Sequence, residues 1–432
     1  MAIDREPDRL RNGAAFVGPA VGDALARTEG SSRPASTAPA AATERPDFDV
    51  AAVRNTFAHL IAQPGEAMEY MYARLFAANP QFRSLFPLAM TAMRESAFRE
   101  LARIIWRLDD RVATEEALGR LARDHRKFGV SARHYGPFFD ALLATVEQYA
   151  GRAWTAQAGV AWRRALDYFA KVMAAAEKQD AQSQPAWWIG EVVQHDRRAE
   201  TIAVLTIRPD RPLSYQPGQY IWVQSPRWPR IWRRYSIANA PRGNGLLDIH
   251  VRWVPGGMVS TALVNYCDSG DTLTLGAARG DLGAAPGSGR DLVCIAGGTG
   301  LAPIKAIIES VVAASSHGRR RKVALYVGAR RIKDLYDMRD LEALQRAYPP
   351  LTLIPVVEKE IDFTGRVGRL PEVVAAHPSF RDCEVYVAGP AGLVSATVRA
   401  LTGRVPPDRL HHEPVETLRL ASSPLNVDHL SR

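Results

Sequence analysis

Between residues 48 and 180, apolar residues recur at intervals of three and four, which predicts an all-helical domain. Glycine is scarce there and runs of β-branched residues are few, as expected for helices. The polar stretch 179–185 interrupts the pattern and is predicted to be a linker. Three apolar helical faces are predicted: Met68, Tyr72, Leu75 and Phe76; Leu118, Leu121, His125 and Phe128; and Trp162, Leu166, Phe169, Met173 and Glu177.

Residues 187–285 follow a period of two, with alternating segments such as TIAVLTIRP and LDIHVRWV separated by Pro and Gly turns. This pattern predicts an antiparallel sheet, closed into a small β-barrel. From 291 to 415 the order becomes buried strand, glycine turn, helix and strand, which predicts an α/β domain with a parallel sheet. The fold class is therefore multidomain, with an all-α domain first.

The two ends of the chain differ from these domains. Residues 1–47 are rich in Ala, Pro, Ser, Thr and Gly, so we predict a disordered tail. Residues 416–432 are predicted to be a loose C-terminal tail. No apolar run reaches the ~18 residues of a membrane-spanning helix, and the N-terminus lacks a secretory leader pattern, so a cytoplasmic location is expected.

The formal net charge is +9, from 55 basic and 46 acidic residues, and most of the basic residues are Arg. We attribute this excess to a solvated surface. The dense run 319–322 precedes a strand and is predicted to be a loop. Because no recognition helix or metal-finger spacing accompanies it, no nucleic-acid partner is expected.

The three cysteines, Cys267, Cys294 and Cys383, are far apart and odd in number. They do not form a disulfide framework. They are also too few for an iron–sulfur cluster held by four cysteines, which excludes one common electron carrier.

Four motifs follow one another in the second half of the chain: RRYS at 233–236, GGMVS at 256–260, GGTG at 297–300 and AGPAG at 388–392. Taken alone, RRYS is more often an exposed strand with its Tyr in the core, and each glycine motif is more often an ordinary tight turn. Glycines between a strand and a helix allow backbone N–H groups to approach a phosphate. In this order, the four motifs resemble the ferredoxin-reductase-type FAD/NAD(P)H module over residues 187–415.

The resemblance implies FAD on the barrel and NADH or NADPH on the α/β domain. It implies Arg233 at the FAD diphosphate, Tyr235 against the isoalloxazine ring and Ser236 near its reactive nitrogen. It further implies diphosphate contacts from Gly257, Met258, Val259 and Ser260, and a nicotinamide cleft lined by Gly298, Thr299, Gly300 and Gly389.

The sequence departs from this family at two places. Ala388 stands where the family often has Cys, and 411–415, ending in Val415, lacks the aromatic residue that often covers the flavin. The choice between NADH and NADPH stays open, because Arg330 and Arg331 could meet a 2′-phosphate or could be surface charge.

A reductase needs an electron acceptor, and a haem held by His is the natural candidate in the helical domain. A lone His on an apolar face, such as His125, is more often structural. However, YMYARLFAANPQFRSLFP and ARDHRKFGVSARHYGPF resemble the globin domain of flavohemoglobins over residues 50–180. The resemblance implies haem b with His125 as the iron ligand, Phe86 on the haem face, Tyr72 on the distal side, and Tyr135 and Glu177 as proximal partners of the histidine.

One distal position differs. The family often has Gln on the helix after the haem-contacting Phe, and the matching residue here is Met93, with Ala97 one turn on. With Met93 there, stabilisation of bound O2 is expected to depend mainly on Tyr72.

The whole chain resembles a flavohemoglobin, which implies nitric oxide dioxygenation: electrons pass from NAD(P)H through FAD to haem, and O2 and NO give nitrate. O2 and NO are then the small-molecule partners, and a monomer is expected. One alternative is a reductase of haem or of external acceptors with little NO activity. The other is a globin-based O2 or redox sensor without enzymatic activity.

Overall fold

The computed structural model describes residues 46–283, 288–315, 320–360 and 362–414. Of the predicted N-terminal tail, only residues 46 and 47 are among them. Val415 and the predicted tail 416–432 lie outside the described residues.

The first part of the chain is an all-α domain. Its α-helices within the described residues are α1 (Val50–Ile61), α2 (Pro64–Ala78), α3 (Thr91–Trp106), α4 (Arg111–His125), α5 (Tyr135–Ala150) and α6 (Ala156–Ser183). Several helices begin at a side-chain cap: Asp49 accepts from the Ala52 N–H at 2.9 Å, and Asp110 accepts from the Ala113 N–H at 3.0 Å. Such caps satisfy backbone donors that have no partner within the helix.

The core of this domain is apolar with a polar contact at its centre. Trp162 of α6 is fully buried, and its Nε1 donates to the Thr56 hydroxyl at 2.7 Å. Thr56 in turn donates to the Ala52 carbonyl at 2.8 Å, so the buried indole N–H and hydroxyl are both satisfied. The predicted apolar faces contribute to this core, where Tyr72 is 4% and Phe169 is 2% exposed. Phe128 is an exception, because its ring packs against Trp232 of the barrel domain.

The predicted linker at 179–185 was wrong in its first part, because α6 continues to Ser183. The reason is Asp180, which is buried and paired with Arg126. The Gln184 side chain also donates to Asp180 at 2.7 Å. A polar stretch therefore stays helical because its acid has a buried partner that the local pattern does not reveal.

The second part is an antiparallel sheet. Its strands are β1 (Trp188–Ala199), β2 (Ile202–Pro209), β3 (Tyr220–Gln224), β4 (Arg233–Ser236), β5 (Leu247–Arg252) and β6 (Thr272–Leu275), in the order β4-β3-β6-β1-β2-β5. A bridge between Ile237 and Ile249 joins the two edge strands. The Ala238 N–H also donates to the Asp248 carbonyl at 2.7 Å, so the sheet closes into a barrel. Helix α7 (Met258–Asn265) packs against β5.

The third part is a parallel sheet of β7 (Asp291–Gly297), β8 (Val323–Ala329), β9 (Leu351–Val357), β10 (Arg366–Val367), β11 (Cys383–Ala388) and β12 (Leu410–His412). The strand order is β10-β9-β8-β7-β11-β12. Helices α8 (Leu301–Ala314), α9 (Met338–Ala347), α10 (Leu370–Ala375) and α11 (Ala391–Leu401) connect these strands. The order reverses between β7 and β11, and ligands of open α/β sheets bind outside the carboxyl ends of strands at such a point.

Two smaller expectations have different outcomes. The three cysteines are free, with Cys267 and Cys294 buried. Residues 320–322 do form a loop before β8, but Arg321 is only 8% exposed and donates to the Arg290 carbonyl, so this member of the basic run is not a surface charge. Within the described ranges, no helix has both the length and the apolar character needed to cross a bilayer.

The buried ion pair predicts a stability effect. Asp180→Ala leaves the Arg126 guanidinium, whose side chain is 10% exposed, without its carboxylate. Loss of one partner of a buried pair costs about 3 kcal/mol, so the unfolding midpoint in urea, followed by far-UV circular dichroism, is expected to fall. Glu116→Ala is the control, because the Glu116–Arg120 pair is exposed and is worth less than about 1 kcal/mol. Equal midpoints for the two variants would contradict this account.

Candidate functional site

The imidazole of His125 is the last side chain of α4 and lies in a desolvated place. Its Nδ1 donates to the Leu121 carbonyl one turn earlier, at 2.7 Å. Because a carbonyl only accepts, the proton is on Nδ1 and Nε2 is the unprotonated nitrogen. Burial lowers the pKa of His125, which favours the neutral ring. A neutral imidazole with an unprotonated Nε2 can act as a ligand to a metal ion.

Tyr135 and Glu177, which the resemblance implied as partners of His125, contact each other. The Tyr135 hydroxyl donates to a Glu177 carboxylate oxygen at 3.2 Å. Burial first, and the nearby Glu177 second, raise the pKa of Tyr135, so the phenol keeps its proton. The ring nitrogen Nδ1 of His125 is bonded to backbone instead, so the role of this pair toward the histidine stays a prediction.

Tyr72 of α2 lies on another wall of the same helical core. Its hydroxyl donates to the Met93 sulfur of α3 at 3.5 Å. The Tyr72 ring meets Phe86 edge-on at 5.5 Å between centroids and Phe138 at 6.3 Å. Burial raises the pKa of Tyr72, so the hydroxyl is a donor at neutral pH. This side of the core thus combines a wall of aromatic rings with one hydrogen-bond donor, the Tyr72 hydroxyl, whose acceptor is the Met93 sulfur.

Strand β4 contains the three barrel residues that the sequence singled out. Arg233 and Tyr235 are half-buried, and Arg233 Nη1 donates to the Trp232 carbonyl at 2.9 Å. Burial lowers the pKa of Arg233, which means that its charge is poorly solvated and would gain from a bound anion. Ser236 lies at the end of the strand, opposite Tyr220 of β3.

The GGMVS motif forms the start of helix α7, with Gly257 as its N-cap. The Ser260 hydroxyl donates to the Gly257 carbonyl at 3.1 Å and accepts from the Val254 N–H at 3.2 Å. A side chain at 257 would lie 2.6 Å from the Ser260 hydroxyl, so the tight turn requires glycine. Val259 is 1% exposed, so only the backbone of the 258–259 segment and Met258 can face a ligand at this helix start.

The GGTG and AGPAG motifs meet at the reversal point of the parallel sheet. Gly298 has φ +54° and starts the turn that contains Thr299 and leads into α8. A Cβ on Gly300 would lie 2.5 Å from the Ala388 carbonyl oxygen, and Gly389 has φ +151°. The two backbones therefore approach each other closely at the carboxyl ends of β7 and β11, where a nucleotide can be held by backbone groups.

Lys127, which sequence reasoning missed, lies between the helical domain and the barrel. It is 8% exposed, and its Nζ is 4.4 Å from the Trp222 ring centroid and 4.6 Å from that of Phe128. Nζ also donates to the Asp124 carbonyl at 2.9 Å. Burial lowers the pKa of Lys127 to about 8. No local pattern indicated this contact, because the aromatic partner Trp222 is distant in the chain.

A second missed group joins the barrel to the α/β domain. Asp337 has a fully buried side chain and accepts from Arg198 of β1 at 3.1 Å and from Lys305 of α8 at 2.8 Å. Nearby, the Tyr336 hydroxyl is 2.6 Å from His250 Nδ1. Burial lowers the pKa of His250 well below its ordinary value, so the ring is neutral and its Nδ1 accepts a hydrogen bond from the Tyr336 hydroxyl.

The Gly300 contact generates a prediction. Gly300→Ala places a methyl group against the backbone of Ala388 and Gly389, so the two loops must separate. We expect NADH or NADPH to bind about tenfold more weakly, measured as the dissociation constant with FAD content unchanged. Gly392→Ala is the control, because a Cβ there meets nothing within 4 Å. The same affinity in both variants would show that these loops do not hold the nucleotide.

Comparison with known proteins identifies the three domains in chain order. Residues 69–173 match the Globin family model, residues 191–283 match the Oxidoreductase FAD-binding domain, and residues 294–399 match the Oxidoreductase NAD-binding domain. These ranges fall on the helical domain, the barrel and the parallel sheet respectively. Among the described residues, no cluster of three or more His, Cys, Asp or Glu side chains could hold a metal ion.

Similar proteins fall into two groups. The flavohemoprotein of Bordetella pertussis is 27% identical over 397 residues, which cover 84% of this chain and 97% of the relative. The xylene/toluene monooxygenase electron transfer component XylA of Pseudomonas putida is 36% identical over 209 residues. That match covers 48% of this chain and 58% of XylA, which is little more than half of the relative.

The crystal structure of the flavohemoglobin from Malassezia yamatoensis, determined with bound FAD and heme, has the same fold. Its TM-score is 0.69 at 19% identity, over 84% of this chain and 97% of that chain. The two alignments over most of the chain therefore agree with the three family models in content and order. The chain is an oxidoreductase that joins a globin domain to an FAD-binding barrel and an NAD-binding α/β domain, and it is similar to flavohemoproteins over most of its length.

Proposed function

We propose that this oxidoreductase is an NAD(P)H-dependent nitric oxide dioxygenase. In the overall reaction, two NO and two O2 are converted to two nitrate ions while one NAD(P)H is oxidised and one proton is released. The observation that supports it most is His125, whose Nδ1–H is committed to the Leu121 carbonyl while Nε2 stays available, in a chain that also contains a complete reductase. The proposed location is cytoplasmic and the proposed state is monomeric.

The helical domain fits a haem b on the chemistry of its donors. His125 supplies one neutral nitrogen ligand, and Phe86 supplies an apolar wall beside Tyr72. When bound, haem, FAD and NAD(P)H supply O2 binding, one-electron transfer and hydride donation, the chemistry that side chains lack. The protein's own contribution is binding, orientation and electrostatics.

On the distal side, Tyr72 would donate its proton to a polar diatomic ligand. Its raised pKa keeps the phenol protonated, as a donor must be. The Met93 sulfur is a weak acceptor, so an oxygen ligand of higher acceptor strength would compete successfully for the proton. Tyr72 is thus proposed to be the residue that retains O2, with Met93 holding the hydroxyl in position.

On the proximal side, Tyr135 and Glu177 are proposed to set the electrostatics near His125. The carboxylate of Glu177 is half-buried and accepts a hydrogen bond from the Tyr135 hydroxyl, with 3.2 Å between the two oxygens. A negative charge near a ligating imidazole favours the more electron-rich ligand, and buried partners of this kind tune metal reactivity. The tyrosine fixes where that charge lies.

In the reductase module, the FAD-binding role is proposed for the side chains of β4 and the start of α7. Arg233 has a poorly solvated charge suited to a diphosphate, and Tyr235 and Ser236 lie on the same strand. The start of α7 adds backbone donors, and the nucleotide cleft lies at the two glycine loops. The proposed residues are Gly257, Met258, Val259 and Ser260 for FAD, and Gly298, Thr299, Gly300 and Gly389 for NADH or NADPH.

A second candidate is a reductase that delivers electrons to an external acceptor and has little NO activity. The reductase half favours it, since this half is 36% identical to the electron transfer component XylA whereas the full-length match to a flavohemoprotein is 27% identical. Met93 at the distal position also favours it, because it supplies no hydrogen-bond donor to a ligand.

The function is tested by measuring NADH oxidation in air with and without NO. A dioxygenase oxidises NADH much faster with NO present and releases two nitrate per NADH. If oxidation is unchanged by NO but cytochrome c or ferricyanide is reduced rapidly, the second candidate is correct and the first is wrong.

The ligand assignment is tested by His125→Ala. Loss of the nitrogen donor is expected to abolish the Soret band of the purified protein, with the flavin spectrum retained, since the FAD site is in the barrel. His59→Ala is the matched control, because His59 is exposed on α1. A full Soret band in His125→Ala would overturn the assignment.

The distal assignment is tested by replacing the donor and its acceptor separately. Tyr72→Phe removes one hydrogen bond in a buried site, so O2 is expected to dissociate about tenfold faster from the reduced protein in stopped-flow measurements. Met93→Leu keeps the volume and frees the hydroxyl, so dissociation is expected to stay the same or become slower. Unchanged dissociation in Tyr72→Phe would exclude this role.

A further inference from the structure

The loop formed by residues 225–232 connects β3 to β4 and reaches from the barrel to the globin domain. It ends at the residue before Arg233, the first residue of β4. Its conformation is well defined: the Trp228 N–H donates to the Ser225 carbonyl at 3.0 Å, and the Arg230 N–H donates to the Gln224 side chain at 2.7 Å.

Arg230 has an unusual backbone. Its φ of +66° makes it the non-glycine residue with positive φ among the residues that the structure describes. An L-residue stays in this region only where surrounding contacts determine it, and such residues concentrate at functional sites. The Gln224 contact is one of these, and the other is made outside the barrel.

The second contact of Arg230 is with the distal wall of the globin domain. Its Nη1 donates to the Phe86 carbonyl at 3.2 Å, although 144 residues separate the two. Phe86 is the residue whose ring lies edge-on to Tyr72, and its carbonyl also accepts from Arg83 at 3.2 Å. The loop therefore fixes the main chain of the residue that forms the aromatic wall.

The other end of the loop contacts the proximal side. Trp232 is 7% exposed and lies edge-to-face against Phe128, with 6.2 Å between centroids and 89° between planes. The Phe128 ring is 6.0 Å from the His125 ring. On its other side, the Trp232 carbonyl accepts from Arg233 at 2.9 Å. Trp232 thus contacts Phe128 through its indole ring and the guanidinium of Arg233, the next residue in the chain, through its main-chain carbonyl.

From these contacts we infer that the 225–232 loop couples the FAD site to the haem pocket, with Arg230 and Trp232 as positioning residues. The inference depends on the proposed cofactor sites. An anion bound by Arg233 orders the start of β4 and with it Trp232, while Arg230 holds the Phe86 segment. Ordering either site then lowers the cost of ordering the other, so each cofactor strengthens binding of its partner by the same factor.

The experiment measures that factor in the full chain. The dissociation constant for haem is obtained by Soret titration of haem-depleted protein, once with FAD bound and once with FAD removed. The ratio of the two constants is the coupling factor, which we expect to be about fivefold or more. The reciprocal titration of FAD, with and without haem, must give the same factor.

Two variants are designed to break the coupling. Arg230→Gly removes the guanidinium and adopts the positive φ without strain, and Trp232→Phe shortens the ring that meets Phe128. Both are expected to bring the factor close to one. Arg227→Ala is the matched control in the same loop, because Arg227 is exposed and stacks on Tyr266 of the barrel. It is expected to keep the wild-type factor.

A purely structural effect is distinguishable from coupling. Simple destabilisation weakens haem binding equally with and without FAD and leaves the ratio unchanged, so an unchanged ratio in both variants overturns the inference. A wild-type factor of one overturns it as well. If the wild-type chain forms no Soret band at all, the proposed function fails together with the inference. A normal Soret band with a coupling factor of one contradicts the coupling but leaves the proposed function intact.

Discussion

The arrangement of the domains depends on one buried ion pair. Arg126 directly follows the candidate iron ligand His125, and Asp180 lies near the end of the last globin helix. The second guanidinium nitrogen of Arg126 donates to the Gln184 carbonyl at 3.0 Å, in the segment that connects α6 to the first barrel strand. Arg279 from the barrel adds a contact to Asp180 at 3.9 Å. The pair therefore fixes the end of α4, the end of α6 and the connection to the reductase at once.

Burial decides the protonation of several side chains in the helical domain. His125 is neutral and Tyr72 and Tyr135 stay protonated, because charged forms of these side chains are poorly solvated in the helical core. The same cause acts on Arg233, whose retained charge lacks solvent and so favours an anionic ligand. One physical effect thus leaves a neutral imidazole in one domain and a poorly solvated guanidinium in the next.

The interface between the barrel and the α/β domain follows a different rule. There the charges are buried but paired, with Asp337 held between Arg198 and Lys305. Moving one domain relative to the other would separate these charges and leave a buried charge uncompensated. The ion pairs therefore favour one orientation of the two domains. At the carboxyl end of the parallel sheet, Gly300 lies so close to the backbone of Ala388 that there is no room for a side chain at position 300.

The sequence by itself determined the kinds of element and their order. Spacing of three and four predicted helices, alternation predicted the barrel, and glycine motifs between strands and helices marked the turns that the structure shows. These features are local, since periodicity reports which face of a segment is apolar. The resemblance in motif order then predicted the three domains that the family models match, while the roles of single residues such as Glu177 and Ser236 stay predictions.

Tertiary structure alone decided which side chains meet. The extent of α6 depends on Asp180 finding Arg126, and the polar composition of that stretch suggested a linker instead. The partner of Arg230 is Phe86, and the partner of Lys127 is Trp222, and no local pattern connects such distant positions. A buried polar group stabilises the fold only when its hydrogen-bonding partner is buried beside it. The stabilisation therefore depends on the packing of distant segments and cannot be read from either segment alone.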